Sequence, residues 1–350
     1  MIFTSEHILL REIREQPRAI RNTIGAESHE IDQVARLLRG RRIHFIGMGS
    51  SYFASLYANY LLAELVHIAP VNHLASEFIH YPITIPANEA SLALSQSGES
   101  IETVKAIQTL KKKGNFVVAV TNESRSTLAK LSDRVLLTHA DKERASSTKT
   151  FASTLAILYY LITSLAAQTK QISERNQDLL FEKLLQMTRT MDESMESWNR
   201  DAEHQASKLI NCQAVMVLGR GPNLPGALQG ALLLKEVAKL PAEGMSSGEF
   251  AHGPIEAISK KISVVVLGGG RTSKLQYRLA LRSKSLHAKV LMITPHEVGN
   301  VDSICYGETA EDLAVFPCAA LLELLACHAA VRKGVNPDHF NVIHKVTTRE

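Results

Sequence analysis

Short apolar runs alternate along the chain with longer stretches whose apolar residues recur every three or four positions. The runs suit strands buried on both faces, and the spaced positions suit helices with one apolar face. "RRIHFIGMGSS" is followed by the helical "SYFASLYANYLLAEL", and "ASLALSQSGES" by "IETVKAIQTLKKKG". "NFVVAVTNES" and "DRVLLTHA" add two strand candidates, and "TFASTLAILYYLITSLAAQ" reads as a buried core helix. A charged, helix-like stretch covers Ser173–Ser207, after which the pattern returns. "CQAVMVLGRGP", "KISVVVLGGGR" and "AKVLMITP" repeat the first three strand runs. Gly47 to Gly98 spans 51 positions, and so does Gly219 to Gly270. The doubling predicts an α/β protein of two similar domains, each a mostly parallel sheet flanked by helices on both faces.

In such sheets ligands bind beyond the carboxyl ends of the strands. Three hydroxyl-rich segments precede helices in the first half. They carry Ser50 and Ser51, then Ser95, Gln96, Ser97 and Ser100, then Ala145 and Ser147 with their neighbours Ser146, Thr148 and Lys149. Each alone reads equally as a loop with a helix cap. Together, with the free N–H groups and partial positive charge of helix N-termini, they suit one phosphate. The second half has "GRGPN" and "GGGRT" where the serines would stand, so one half specialises in phosphate. No P-loop or GxGxxG signature is present, and no nucleotide is specifically indicated.

Composition narrows the classes. Forty-five per cent hydrophobic and 21 per cent charged residues in 350 describe a globular protein with a sizeable core. One Trp and a net charge of +4 give neither a base-stacking platform nor a nucleic-acid face. Cys212, Cys305, Cys318 and Cys327 lack metal-ligand spacing and read mostly as buried reduced thiols, which points to the cytoplasm. The N-terminus, with acids in its first turns, does not read as a signal peptide, and no run reads as a membrane span. No metal or redox cofactor is implied.

The three serine-rich segments resemble the SIS (sugar isomerase) domain family, which binds phosphosugars. "GRGPNLPGALQGALLLKEVAKLPAEGMSSGEFAHGP" is similar to the isomerase half of glucosamine-6-phosphate synthases, as are "LREIREQPRAIRNTI" and the tail "NVIHKVTTRE". The resemblance implies two tandem SIS domains acting on a hexose 6-phosphate. Residues 1–170 would form an N-terminal helix plus the first domain, 171–207 a linking helix, 208–335 the second domain, and 336–350 a tail reaching the active site. It further implies a homodimer whose sites are shared between subunits.

Three residues become catalytic candidates. Glu236 lies on one helix face with Gln229 and Leu233, and by pattern alone is equally a solvated acid. A carboxyl facing an apolar cleft holds its proton to higher pH, as a C1–C2 proton shuttle requires. The resemblance assigns Glu236 that role. His252, in a Gly/Pro-rich loop, is implied to open the sugar ring, reaching the neighbouring subunit's site. Lys345 matches the lysine that forms a Schiff base with a keto sugar. Two positions depart from the synthases: Gln229 and Leu233 stand where those enzymes carry a glutamate and a lysine. The sequence also opens on "MIFTSEH", without a glutaminase-like nucleophilic cysteine. The expected activity is therefore deamination of glucosamine 6-phosphate to fructose 6-phosphate and ammonia. Amino-sugar synthesis with a separate glutaminase subunit, deglycation of a fructosamine 6-phosphate and a non-enzymatic sugar-phosphate sensor remain alternatives.

Overall fold

A computed structural model describes residues 6–342, whose contacts divide into two compact units. The first gathers Gln16–Glu143 and Lys149–Gln186. The second gathers the described residues up to Glu15, then Arg144–Thr148 and Met187–Asn341.

The first unit holds β1 (Ile43–Gly47), β2 (Val71–Leu74), β3 (Ala90–Leu94), β4 (Phe116–Thr121) and β5 (Arg134–Leu137). They form one parallel sheet in the order β2-β1-β3-β4-β5. β1 and β3 pair with Phe45 opposite Leu92 and are buried throughout, which is why they read as unbroken apolar runs. Ile46, Ala93 and Val117 share a core with Ile107 and Leu110 of helix Ile101–Lys112. Helix Gln16–Leu38 packs on helix Lys149–Gln168, and the latter is apolar nearly all round because it is buried nearly all round.

The second unit repeats the plan with β6 (Ala214–Gly219), β7 (Ala242–Ser246), β8 (Ile262–Leu267), β9 (Lys289–Thr294) and β10 (Asp302–Cys305). The order is β10-β9-β8-β6-β7, again parallel throughout. Helices Leu224–Glu236 and Val315–Arg332 approach closely at Gly230, where a Cβ would lie 2.5 Å from a Leu322 methyl. The duplicated α/β architecture expected from the sequence is present.

The apolar pattern does not announce β2, β7 and β10, and all three are edge strands with partly exposed residues. A second difference concerns membrane-length helices. Both Lys149–Gln168 and Glu311–Arg332 are long and apolar enough to cross a membrane, and 83 % and 89 % of their most apolar windows are buried within the protein. The sequence reading anticipates the first as a core helix and passes over the second. Cys318 and Cys327 are buried, Cys212 and Cys305 partly so, and all four are free.

Candidate functional site

From β1 the chain crosses to β2 on one side of the sheet, and from β3 it crosses to β4 on the other. The loops leaving these neighbouring strands therefore diverge, opening the crevice where parallel α/β sheets bind ligands. Ser50, Ser51, Ser95, Gln96, Ser97 and Ser100 all sit on these two loops or the first helical turns behind them. After β3 the backbone is fixed by its neighbours. Ser95 N–H donates to the Val120 carbonyl at 3.0 Å, and Asn122 N–H donates to the Gln96 carbonyl at 2.9 Å. The Ser95 hydroxyl accepts from Gly98 N–H at 3.1 Å, and the Ser97 hydroxyl from Glu99 N–H at 3.2 Å. A hydroxyl that accepts a backbone N–H keeps its own proton to donate outward. Gly98 has φ +63°, and a Cβ there would lie 2.1 Å from the Ser126 hydroxyl, so the turn requires glycine.

Ser100 precedes helix Ile101–Lys112, whose first-turn N–H groups lack intrahelical partners. These donors and the helix dipole favour an anion at the serines. Another depression in this unit, of about 890 Å³, is lined by Arg21, Gly25, Glu123, His139, Asp141 and Lys142 among others, and by none of the serines. The serine loop has an acid of its own, for the Ser100 hydroxyl donates to the Glu102 carboxylate at 3.2 Å.

Ala145 and Ser147 belong to the strap Arg144–Thr148, which packs within the second unit. The buried Glu12 carboxylate accepts Arg144 N–H at 2.5 Å and Ala145 N–H at 3.0 Å. The Ser147 carbonyl accepts the Gln229 side-chain amide at 2.7 Å. Gln229 and Leu233 are both fully buried, and the Gln229 side-chain oxygen has no hydrogen-bond partner among the described residues. Glu236, half-buried, ends this helix seven residues beyond Gln229, or about 10 Å along the axis. Beside it stands Lys239, which sequence reasoning missed. Its ammonium donates to the carbonyls of Glu236 and of His339, the latter at 3.0 Å. Burial lowers the Lys239 pKa, and the nearby Glu236 carboxylate opposes that shift. His252 lies exposed in the turn after helix Ser247–Phe250, and its ring makes no hydrogen bond among the described residues. Lys345 lies outside the described residues.

In the second unit the glycine-rich loop after β8 holds a carboxylate from its own chain. The Glu311 carboxylate accepts Arg271 N–H at 3.1 Å and the Arg271 side-chain Nε–H at 2.8 Å. A Cβ on Gly270, at φ +62°, would lie 2.3 Å from the Glu311 carboxyl carbon. A resident carboxylate thus occupies the glycine-rich loop, whereas the first unit presents hydroxyls. Among the described residues no three His, Cys, Asp or Glu side chains converge as metal ligands.

The SIS domain family model matches residues 36–164 and 208–305, one segment in each duplicated half. The chain belongs to the SIS domain family. A glutamine–fructose-6-phosphate aminotransferase (isomerizing) of Pyrobaculum aerophilum is 33 % identical over 355 residues, covering 98 % of this chain and 58 % of that protein. Its counterpart in Pyrococcus horikoshii is 33 % identical over 353 residues, with 99 % and 58 % covered. The chain therefore spans less than two thirds of these relatives. Two solved structures share the fold of this SIS protein. The C-terminal domain of glucosamine-fructose-6-phosphate aminotransferase from Francisella tularensis has a TM-score of 0.87 at 24 % identity, covering 95 % and 97 % of the two chains. Glucosamine-6-phosphate deaminase from Thermotoga maritima has a TM-score of 0.78 at 22 % identity, covering 97 % and 99 %.

Proposed function

We propose that this SIS protein binds a hexose 6-phosphate at the serine crevice and deaminates glucosamine 6-phosphate. His252 opens the pyranose by moving a proton between O1 and the ring oxygen. Glu236 takes the proton from C2 and returns it to C1 while O1 gains the proton that the nitrogen gives up, leaving an imine at C2. Water adds to that carbon, the nitrogen gains a proton, and ammonia departs as the C2 carbonyl forms. One water enters and one ammonia leaves. Lys345 would condense with the C2 carbonyl of the keto sugar as a Schiff base, releasing a water that returns when the product is freed.

The helix face Gln229–Leu233–Glu236 carries this reading. A buried amide and a buried alkyl chain stand ahead of a single carboxylate. That face offers Glu236 for the C1–C2 transfer but no acid–base pair to accept and deprotonate incoming ammonia. Purified chain incubated with glucosamine 6-phosphate should release ammonia and fructose 6-phosphate in equal amounts, and Glu236→Gln should abolish release. Protein that binds the amino sugar yet releases no ammonia overturns the deaminase reading. The aminotransferase relatives favour a second reading, the same steps run toward amination. Amino sugar formed from fructose 6-phosphate and glutamine would establish it.

A further inference from the structure

Residues 257–296 contain eight Lys and Arg and no Asp or Glu. Within the second unit, part of this charge converges on a cavity of about 240 Å³ lined by Arg220, Arg278, Arg282, Ser247, Leu275 and Leu279 among others. Arg220 follows β6, and the other two arginines lie four residues apart on helix Ser273–Ser285. None of the three guanidinium groups is paired with a carboxylate among the described residues, whereas Arg271 is held by Glu311. Like charges at this helical spacing repel, so the pair costs stability in isolation.

The frame around the cavity is fixed. A terminal nitrogen of Arg220 lies 2.7 Å from where a Gly248 Cβ would stand, so its guanidinium rests against the Ser246–Gly248 turn. The buried Gln276 side chain donates to the Leu267 carbonyl at 2.9 Å, tying the arginine helix to the end of β8. Guanidinium forks match phosphate oxygens, and Leu275 and Leu279 supply an apolar wall. The volume lies just below the range of about 300–1,000 Å³ usual for drug-sized ligands, which suits one small metabolite over a polymer.

We propose that this arginine pocket binds a phosphorylated small metabolite, as an anion site additional to the serine crevice of the first unit. It stands independently of the deaminase assignment. Isothermal titration of the full chain with fructose 6-phosphate should count two sites per chain. Ser97→Ala should weaken one, and Arg278→Gln with Arg282→Gln should weaken the other by about tenfold per arginine. Arg278→Lys, which keeps the charge, should lose less than Arg278→Gln. Inorganic phosphate should compete at the pocket, more weakly than the ester if the leucine wall contributes and equally if the free ion is the ligand. Sites that are all unaltered in the folded double variant overturn the proposal, whether one or two are counted, whereas a single arginine-dependent site supports it and removes the serine crevice. Tighter, arginine-dependent binding of a short oligonucleotide overturns it too. The site count is read whether or not ammonia is released.

Discussion

At the scale of single residues, the serine loop lets one side chain hold a turn and still offer a proton to the proposed phosphate. Ser97 accepts Glu99 N–H and so supports the turn, while its own hydroxyl proton stays available to a phosphate oxygen. A hydrogen bond to a charged group contributes about 1.5–3 kcal/mol. Ser97→Ala should therefore weaken hexose 6-phosphate binding about ten- to a hundredfold, since 1.4 kcal/mol is tenfold in affinity. Titration calorimetry, with melting temperature as the control for the lost turn contact, measures it. Unchanged affinity would remove the serine crevice as the phosphate site. The serine loops were legible because hydroxyls clustered before helices exceed what turns need. Glu12 and Glu311 were not, since an acid that accepts backbone N–H groups from a distant loop looks in sequence like any solvated acid. Lys239 was hidden for the same reason: its importance comes from where its chain neighbours fold.

At the scale of elements, central strands were legible and three edge strands were not. β1, β3 and β8 are buried on both faces and spell continuous apolar runs. β2, in contrast, reads "VNHL", because one side of an edge strand meets solvent. Its His73 stacks on His44 of β1 with ring centroids 5.3 Å apart. His44 Nδ1 lies 3.0 Å from His73 Nε2, and its Nε2 lies 2.5 Å from the Glu89 carboxylate. Burial, then the charge of His44, lowers the His73 pKa from 6.5 to about 4. The folded state thus binds the proton more weakly than the unfolded chain. The stabilisation is complete above the unfolded value and is lost as pH falls from 6.5 toward about 4. Thermal melts between pH 7 and 5 should fall more steeply for the native protein than for His73→Gln. Equal slopes would mean that His73 does not couple the edge strand to pH.

At the scale of the whole molecule, the duplication was legible through matching strand–loop–helix spacing, but the division of labour between the halves was only half visible. Serines in one set of loops and glycines in the other suggested it. The structure adds that the glycine loop holds Glu311, which pairs with Arg271. The strap Arg144–Thr148, adjacent in sequence to the first unit, packs with the second through Glu12 and Gln229. No periodicity could reveal that exchange, because it rests on contacts more than 80 positions apart. His252 poses the corresponding question about assembly. Its ring is exposed and makes no hydrogen bond among the described residues, on a turn shaped by Gly253 at φ +146°. A ring-opening histidine placed this way fits a homodimer in which each His252 completes the site of the other subunit. Chains carrying His252→Ala and chains carrying Glu236→Ala should each be inactive alone. After subunit exchange at equal amounts, half the dimers are mixed and each has one intact site, so about a quarter of native activity should return. Exchange can be followed with differently tagged chains. Mixed dimers that form yet stay inactive would place His252 in the site of its own chain, and an active His252→Ala chain would remove His252 from the chemistry.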